Sequence, residues 1–398
     1  MSSRVAVSGL GCITAAGDTL AETAASLAAG RRAPAPPRRF RAQLDHDFPV
    51  FEIHSDPTQW GSLPLGHDPT RTVRLAAAAT REACSHAGLE QAALEGERTG
   101  CCIGTTVGCT LNSEEFYRDL RKGALPNTEP IRRHFTNNPA LAIARALNIE
   151  GPAVTVANAC SSGADALGLA KGWIEAGLCD LAIAGGADEL TRITYIGFAH
   201  LLITSAAPCR PFDKSRSGLN LGEGAGIVVL ESEEALRRRG GHALAWLAGY
   251  GTCNDAHHPT APHPEGVGLR RAIETALRDA GIAPSDVGVI NAHGTSTLDN
   301  DRVEGRVLSD IFGAEVPAVS TKAHTGHTLG AAGGIEAVLS VQSLLDGTVP
   351  ATVGHETPDP ECGLRPTTRR TEHTARWALS DSLAFGGGNC ALIFERGD

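Results

Sequence analysis

The stretch Val154-Thr155-Val156-Ala157-Asn158-Ala159-Cys160-Ser161-Ser162-Gly163 decides the fold. Ala153–Val156 is short, apolar and β-branched, the pattern of a buried strand. Ala157 to Cys160 is a turn of small residues, and a helix follows from Ser161 to Ala176. Strand, turn and helix in that order form half of an α/β unit. The same arrangement places Cys160 at a helix start, where free N–H groups and partial positive charge gather. That setting is expected to stabilise a thiolate and lower the thiol pKa. The same N–H groups can hold an oxyanion, and Ala159, Ser161 and Gly163 leave room for a substrate carbonyl. A buried structural thiol is the competing reading, and it is preferred for Cys101, Cys102 and Cys390 in apparent core strands.

Outward from this point the alternation continues. Towards the N-terminus, Val5–Ser8 reads as a strand, Gly9-Leu10-Gly11 as a Gly-rich turn, and Leu20–Ala29 as a helix. Thr72–Ala87 is an Ala-rich packed helix and Cys101–Thr105 a strand, while Asn112–Phe135 is a polar helical excursion. Towards the C-terminus, Leu181–Ala184 is a strand, Ile227–Leu230 and Ala243–Tyr250 read as adjacent strands, and Asn254–Gly266 is a His/Pro-rich loop. The pattern then restarts: helix Leu269–Ala280, strand Val287–Ala292, helix Asp301–Ile311, strand Ala318–Thr321, helix Gly330–Leu345. A Gly turn before strand Cys390–Glu395 ends the chain. The expected fold class is α/β, in two similar layered halves, 1–240 and 241–398.

Composition narrows the function. The chain has 398 residues, is 42% hydrophobic and carries a net charge of −10. That is ample for a large core, and the acidic balance argues against nonspecific nucleic acid or anionic membrane binding. The 11 Cys show no framework spacing, no apolar run approaches the roughly 18 residues of a membrane span, and the N-terminus lacks a signal-peptide pattern. A cytoplasmic protein is expected.

Two Gly/His segments single out Cys160 from the other thiols. Asn291-Ala292-His293-Gly294-Thr295-Ser296-Thr297 follows a strand directly, and Ser320-Thr321-Lys322-Ala323-His324-Thr325-Gly326-His327 follows another. Loops at strand ends are where α/β folds place chemistry, and two neutral imidazoles can donate hydrogen bonds to an enolate oxygen. Cys160, His293 and His327 fit no zinc spacing, so no metal is expected. His257, His258 and His263 belong to a surface loop. Gly9-Leu10-Gly11 lacks the third Gly and the acidic residue of a dinucleotide site.

Together these segments resemble the β-ketoacyl-acyl-carrier-protein synthases of the elongating Cys-His-His class. The resemblance runs through Val5-Ala6-Val7-Ser8-Gly9-Leu10-Gly11, Ala159–Gly163, Pro211-Phe212-Asp213, Gly222–Gly226, His293–Thr297, Lys322–His327 and Phe385–Asn389. It implies a thiolase-like fold of five α/β/α/β/α layers, usually dimeric. It implies that Cys160 takes the acyl chain from an acyl carrier protein, with the N–H groups of Cys160 and Phe385 as the oxyanion hole. His293 and His327 would assist malonyl decarboxylation, Lys322 would organise the second histidine, and Glu336 would stand behind the site. Thr295 and Thr297 match hydroxyls that bind the phosphopantetheine arm, which the carrier protein brings. No cofactor of the enzyme's own is implied. Val107 matches the acyl-pocket wall, and Phe198 and Phe385 the aromatic pocket mouth. Asn158, Leu298 and Cys109 depart from the usual pattern, and Cys109 beside Val107 puts chain length in doubt.

The alternatives are a Cys-His-Asn condensing enzyme, which needs Asn at position 327, and a thiolase, which needs a second catalytic Cys near Cys390. A non-catalytic chain-length-factor subunit would lack the nucleophile. Both a homodimer and a heterodimer with a chain-length-factor-like partner stay open. Candidate carrier-docking cations are Arg71, Arg74, Lys214 and Arg216, against a reading as solvated surface charge.

Overall fold

The computed structural model describes residues 4–60, 63–65, 69–96, 98–106, 113–136 and 138–397. Its first half runs β1 (Val5–Thr14), α1 (Leu20–Ala28), α2 (Arg71–His86), α3 (Gln91–Leu94), β2 (Thr99–Gly104), α4 (Glu114–Arg121) and α5 (Glu129–Thr136). It continues with α6 (Pro139–Ala146), β3 (Ala153–Val156), α7 (Ser162–Glu175), β4 (Leu181–Asp188), α8 (Arg192–His200), β5 (Gly224–Ser232) and α9 (Glu233–Arg238). The second half runs β6 (Ala245–Asn254), α10 (Val267–Ala280), β7 (Val287–Asn291), α11 (Leu298–Phe312), β8 (Ala318–Val319), α12 (Lys322–Thr325) and α13 (Ala332–Asp346). A short ribbon of β9 (Thr348–Val349) and β10 (Thr371–Glu372) precedes β11 (Trp377–Leu383) and β12 (Gly388–Arg396).

The ten sheet strands lie in the order β3-β2-β4-β5-β1-β6-β12-β11-β7-β8. The seam between the halves is narrow: β1 meets β6 only at Ala6↔Trp246 and Val7↔Ala245. On either side of it the topology repeats. Within the first half β1/β5 and β4/β5 are antiparallel, and β2/β4 and β2/β3 parallel. In the second half β6/β12 and β11/β12 are antiparallel, and β11/β7 and β7/β8 parallel.

Three apolar clusters separate these sheets into layers. One unites α2 and α6 with the outer face of the first sheet through Leu75, Ala79, Ile143 and Ile183. A second unites α10 and α11 with the second sheet through Leu269, Ile273, Leu308 and Ile393. Between the sheets, α7 and α13 share the central cluster with strands of both halves, through Ala166, Leu167, Ile335, Val338, Leu230 and Leu392. The result is the α/β/α/β/α layering expected of a thiolase-like fold.

Three expectations give way. Gly9-Leu10-Gly11 is no turn: β1 runs through it to Thr14. The glycines are there because α2 crosses closely, and a Cβ on Gly11 would meet the Ala79 carbonyl oxygen at 1.9 Å. Ile227–Leu230 and Ala243–Tyr250 are strands, but β1 lies between them. A strand before the C-terminal Gly turn, β11, escaped notice because Ser380-Asp381-Ser382 interrupts the apolar pattern while being wholly buried. No helix among the described residues is long and apolar enough to cross a membrane.

Candidate active site

The turn that carries Cys160 is a short 3₁₀ segment, Ala159–Ser161, between β3 and α7. Ala159 takes φ of 46°, an unfavourable value for a residue with a Cβ. Several hydrogen bonds hold that shape. Asn158 N–H donates to Ser162 Oγ at 2.8 Å, and Ser161 Oγ donates to the Asn158 carbonyl at 3.0 Å. Below them Asp165 accepts from Asn158 Nδ2 at 2.7 Å, Ser161 Oγ at 2.7 Å and Tyr250 Oη at 2.9 Å. Tyr250 stands on β6, so the second half of the chain braces the turn of the first.

A matching 3₁₀ turn, Leu329–Ala331, opens α13. The two helix starts meet almost backbone to backbone: a Cβ on Gly163 would sit 2.7 Å from Gly334 N and 2.8 Å from the Gly330 carbonyl oxygen. Asp188, at the end of β4, locks this junction by accepting the N–H groups of Thr106 at 2.8 Å and Gly330 at 2.7 Å and the Thr105 hydroxyl. Burial pushes Asp188 up to about 6 against these donors.

This contact brings His327 to Cys160. The His327 N–H donates to the Asn220 carbonyl at 2.8 Å and its carbonyl accepts from Gly222 N–H at 2.9 Å, so a loop of the first half fixes the histidine backbone. Its ring is fixed too. Leu329 N–H donates to Nδ1 at 3.3 Å, which leaves the neutral imidazole with its proton on Nε2, 3.2 Å from Cys160 Sγ. His293, on the turn after β7, has Nδ1 3.0 Å from Lys322 Nζ. An ammonium only donates, so this ring also carries its proton on Nε2. The two rings stand 5.3 Å apart, edge to face. Burial, then the charge of Lys322, hold both imidazoles well below the usual histidine range. Both are therefore neutral donors at physiological pH.

Lys322 pairs with Glu336 of α13, whose carboxyl burial pushes up to about 7 while the ammonium pulls it back. The resemblance implied that Lys322 organises the second histidine; its hydrogen bond goes to the first, His293. The expected low thiol pKa is also corrected. Burial pushes Cys160 up to about 12, with Lys322 and the Phe385 N–H pulling the other way. The helix start does not outweigh desolvation of an enclosed sulfur.

A cleft of about 310 Å³ opens onto this group. Cys160, His293 and His327 lie in it together with Thr295, Thr297, Phe198 and Phe385. The two threonine hydroxyls share a hydrogen bond of 2.8 Å, and the two phenylalanine rings stack at 5.5 Å. Leu202 and Leu298, 88% and 58% exposed, form an apolar lip that sequence reasoning missed. Val107 and Cys109 lie outside the described residues. Cys390 is buried in β12 and does not line the cleft. Among the described residues no group of three or more His, Cys, Asp or Glu could hold a metal ion.

Two docking candidates are structural instead. The Arg71 guanidinium grips Glu223 through Nε at 2.9 Å and Nη2 at 2.7 Å. Arg216 is buried between the carbonyls of Asp213, Thr297 and Leu298 and the Asp359 carboxylate. Lys214 is exposed, and Arg74 is half-buried with Nε on the Pro69 carbonyl. Asp165 carried a signal that was overlooked, being four residues after Ser161 on one helix face; Asp188 carried none.

Comparison with known proteins gives the family. Family models for the β-ketoacyl synthase N-terminal and C-terminal domains match residues 2–235 and 244–356. The 3-oxoacyl-[acyl-carrier-protein] synthase 2 of Synechocystis sp. is 35% identical over 407 aligned positions, covering 99% of this chain and 98% of that protein. The solved ishigamide ketosynthase/chain length factor superposes with a TM-score of 0.92 at 33% identity, covering 100% of both chains. The AntDE:AntF structure, a type II PKS acyl-carrier protein in complex with its ketosynthase bound to the hexaketide, gives a TM-score of 0.90 at 28% identity, again over 100% of both chains. The chain belongs to the β-ketoacyl synthase family.

Proposed function

We propose that the chain extends an acyl group held on Cys160 by decarboxylative condensation with a malonyl unit on an acyl carrier protein. The observation that carries this reading is the pair of imidazoles, each fixed with Nε2–H towards the cleft, one of them 3.2 Å from the thiol. A general base for the thiol would need a free Nε2 lone pair, which neither ring offers. Two donors side by side suit an oxygen that gains negative charge.

The steps follow from that arrangement. Cys160 sulfur attacks the acyl thioester of the first carrier; its proton passes to the departing phosphopantetheine sulfur. The second carrier's malonyl group then loses CO₂, and the electrons of that C–C bond become an enolate whose oxygen accepts from His293 and His327. The enolate carbon attacks the acyl-Cys160 carbonyl, and the tetrahedral oxyanion accepts from the N–H groups of Cys160 and Phe385. Collapse breaks the C–S bond, gives a 3-oxoacyl carrier, and returns a Cys160 sulfur that takes one proton from solvent. Thr295 and Thr297 are placed for the phosphopantetheine arm, Phe198 and Phe385 for the mouth. Lys322 and Glu336 act through His293.

The uncovered edge strand β3, with Val154 40% exposed, supports a second subunit in the working assembly. That subunit is either another copy or, as the likeness to the ishigamide ketosynthase/chain length factor favours, a chain-length-factor-like partner. Incubation with acyl-carrier and malonyl-carrier, followed by mass spectrometry, tests the reaction. An acyl adduct on Cys160 and a product two carbons longer are expected; an adduct on another cysteine overturns the assignment.

A further inference from the structure

Asp165 stands in the first turn of α7 and is buried there. An acid at a helix start is ordinarily explained by the helix dipole, but this one also gathers side-chain donors. Its Oδ2 accepts from Asn158 Nδ2 and from Ser161 Oγ, each at 2.7 Å. Those residues flank Ala159 and Cys160, so one carboxylate oxygen holds both sides of the nucleophile turn. Its Oδ1 accepts from Tyr250 Oη at 2.9 Å. The Tyr250 ring comes from β6 and lies against α7 where Gly168 is bare: a Cβ there would meet ring atoms Cδ2 and Cε2 at 2.4 Å. The helix thus leaves open the path by which the second half of the chain delivers its donor.

Asn158 has a second neighbour. A Cβ on Gly388 would stand 3.3 Å from Asn158 Nδ2 and 3.5 Å from its Oδ1. The amide therefore lies against the end of the loop that carries Phe385. That loop is tight: Ala384 N–H donates to the Gly388 carbonyl at 2.7 Å, and Gly387 N–H to the Ala384 carbonyl at 3.1 Å. Asn158 is wedged between the turn of Cys160 and the loop of Phe385, and Asp165 sets its aim.

An ionised carboxylate is an acceptor only and can serve all these donors at once, and such charge-assisted bonds are the stronger kind. We propose that Asp165 is a positioning residue for acyl transfer: through Asn158 it sets the spacing between the N–H groups of Cys160 and Phe385, and through Ser161 the pitch of the turn. An oxyanion is stabilised only by donors held at the right distance from it, and a misplacement of about 1 Å can cost on the order of 10²-fold in rate. His293 and His327 hang from other turns, so enolate formation does not depend on this spacing. The inference rests on the proposed reaction, with those two N–H groups as its oxyanion hole.

The test measures two rates on the same samples of the full chain: acylation of Cys160 by an acyl carrier, and decarboxylation of malonyl carrier. Asp165→Ala should slow acylation roughly tenfold or more and leave decarboxylation near wild type. Alkylation of Cys160 by iodoacetamide, which needs no oxyanion donor, should not fall with it. Asn158→Asp places two carboxylates side by side and should also lower the acylation-to-decarboxylation ratio. The exchanged pair Asn158→Asp/Asp165→Asn restores one amide and one carboxylate and should recover most of it. Should Asp165→Ala fail to fold, Tyr250→Phe carries the same test with a smaller fall in the ratio. Equal loss of both rates, alkylation lost in step with acylation, an exchanged pair no better than Asn158→Asp alone, or an unchanged ratio in Tyr250→Phe would overturn the proposal. Absence of any adduct on wild-type Cys160 would overturn the proposed reaction and this inference with it; an adduct that forms equally fast in wild type and variants overturns the inference alone.

Discussion

The two halves of the molecule share a strand order and differ in what stands at their strand ends. In the first, β3 passes through Ala159–Ser161 into α7, and the turn bears a thiol. In the second, β8 leads by α12 and Leu329–Ala331 into α13, and the matching turn bears Gly330. Ala159 and Leu329 both take positive φ, 46° and 56°, so the backbones follow one shape. Their side chains cannot follow one rule. A Cβ on Gly330 would meet Thr106 N at 2.4 Å, so the second turn stays bare to let the first come near. The second half supplies its chemistry from the flanks instead, as His293, Lys322 and His327. In the proposed reaction a repeated scaffold thus yields one nucleophile and two donors, and crowding at the junction accounts for the asymmetry.

The largest effect expected from breaking this division is at the thiol. Cys160→Ala should abolish acyl transfer, read as loss of the covalent adduct; transfer surviving through another cysteine would show that the turn is not the special one. Next come the donors. His293→Ala and His327→Ala should each slow decarboxylation on the order of 10²–10⁴-fold, while Cys160 acylation changes far less. Equal loss of both steps would mean that the histidines serve the thiol and not the enolate. Gly330→Ala tests the crowding itself: forcing a Cβ against Thr106 should cost about 1–3 kcal/mol in denaturant unfolding, and an unchanged midpoint would remove the reason for the bare turn. Tyr250→Phe should have the smallest effect. It deletes one hydrogen bond to Asp165 and should cost about 0.5–1.5 kcal/mol, with slower Cys160 acylation if the second half truly braces the first.

The parts of the site that could be read in the sequence are those that are local. A thiol between a β-branched run and a helix, or a His in a Gly turn after a strand, shows its setting within ten residues. What depends on distant packing did not show. Arg71 and Arg216 read as available cations because nothing near them in sequence announces Glu223 or Asp359. Lys322 was assigned to the neighbouring His327 when its ammonium reaches back to His293. The fold was legible by the same rule. The alternation of strands and helices came through, while β1 was cut short by glycines that serve a crossing helix and β11 was hidden by three buried polar residues.

Phe385 holds two offices in this architecture. Its ring stacks on Phe198 at the entrance, and its N–H points at the sulfur, immediately before Gly386 and Gly387 with φ of 85° and 82°. Doorway and donor are therefore one rigid piece. Under the proposed reaction, any redesign that widens the entrance at this residue will also retune the electrostatics at the Cys160 sulfur, so selectivity and speed cannot be adjusted there as separate dials.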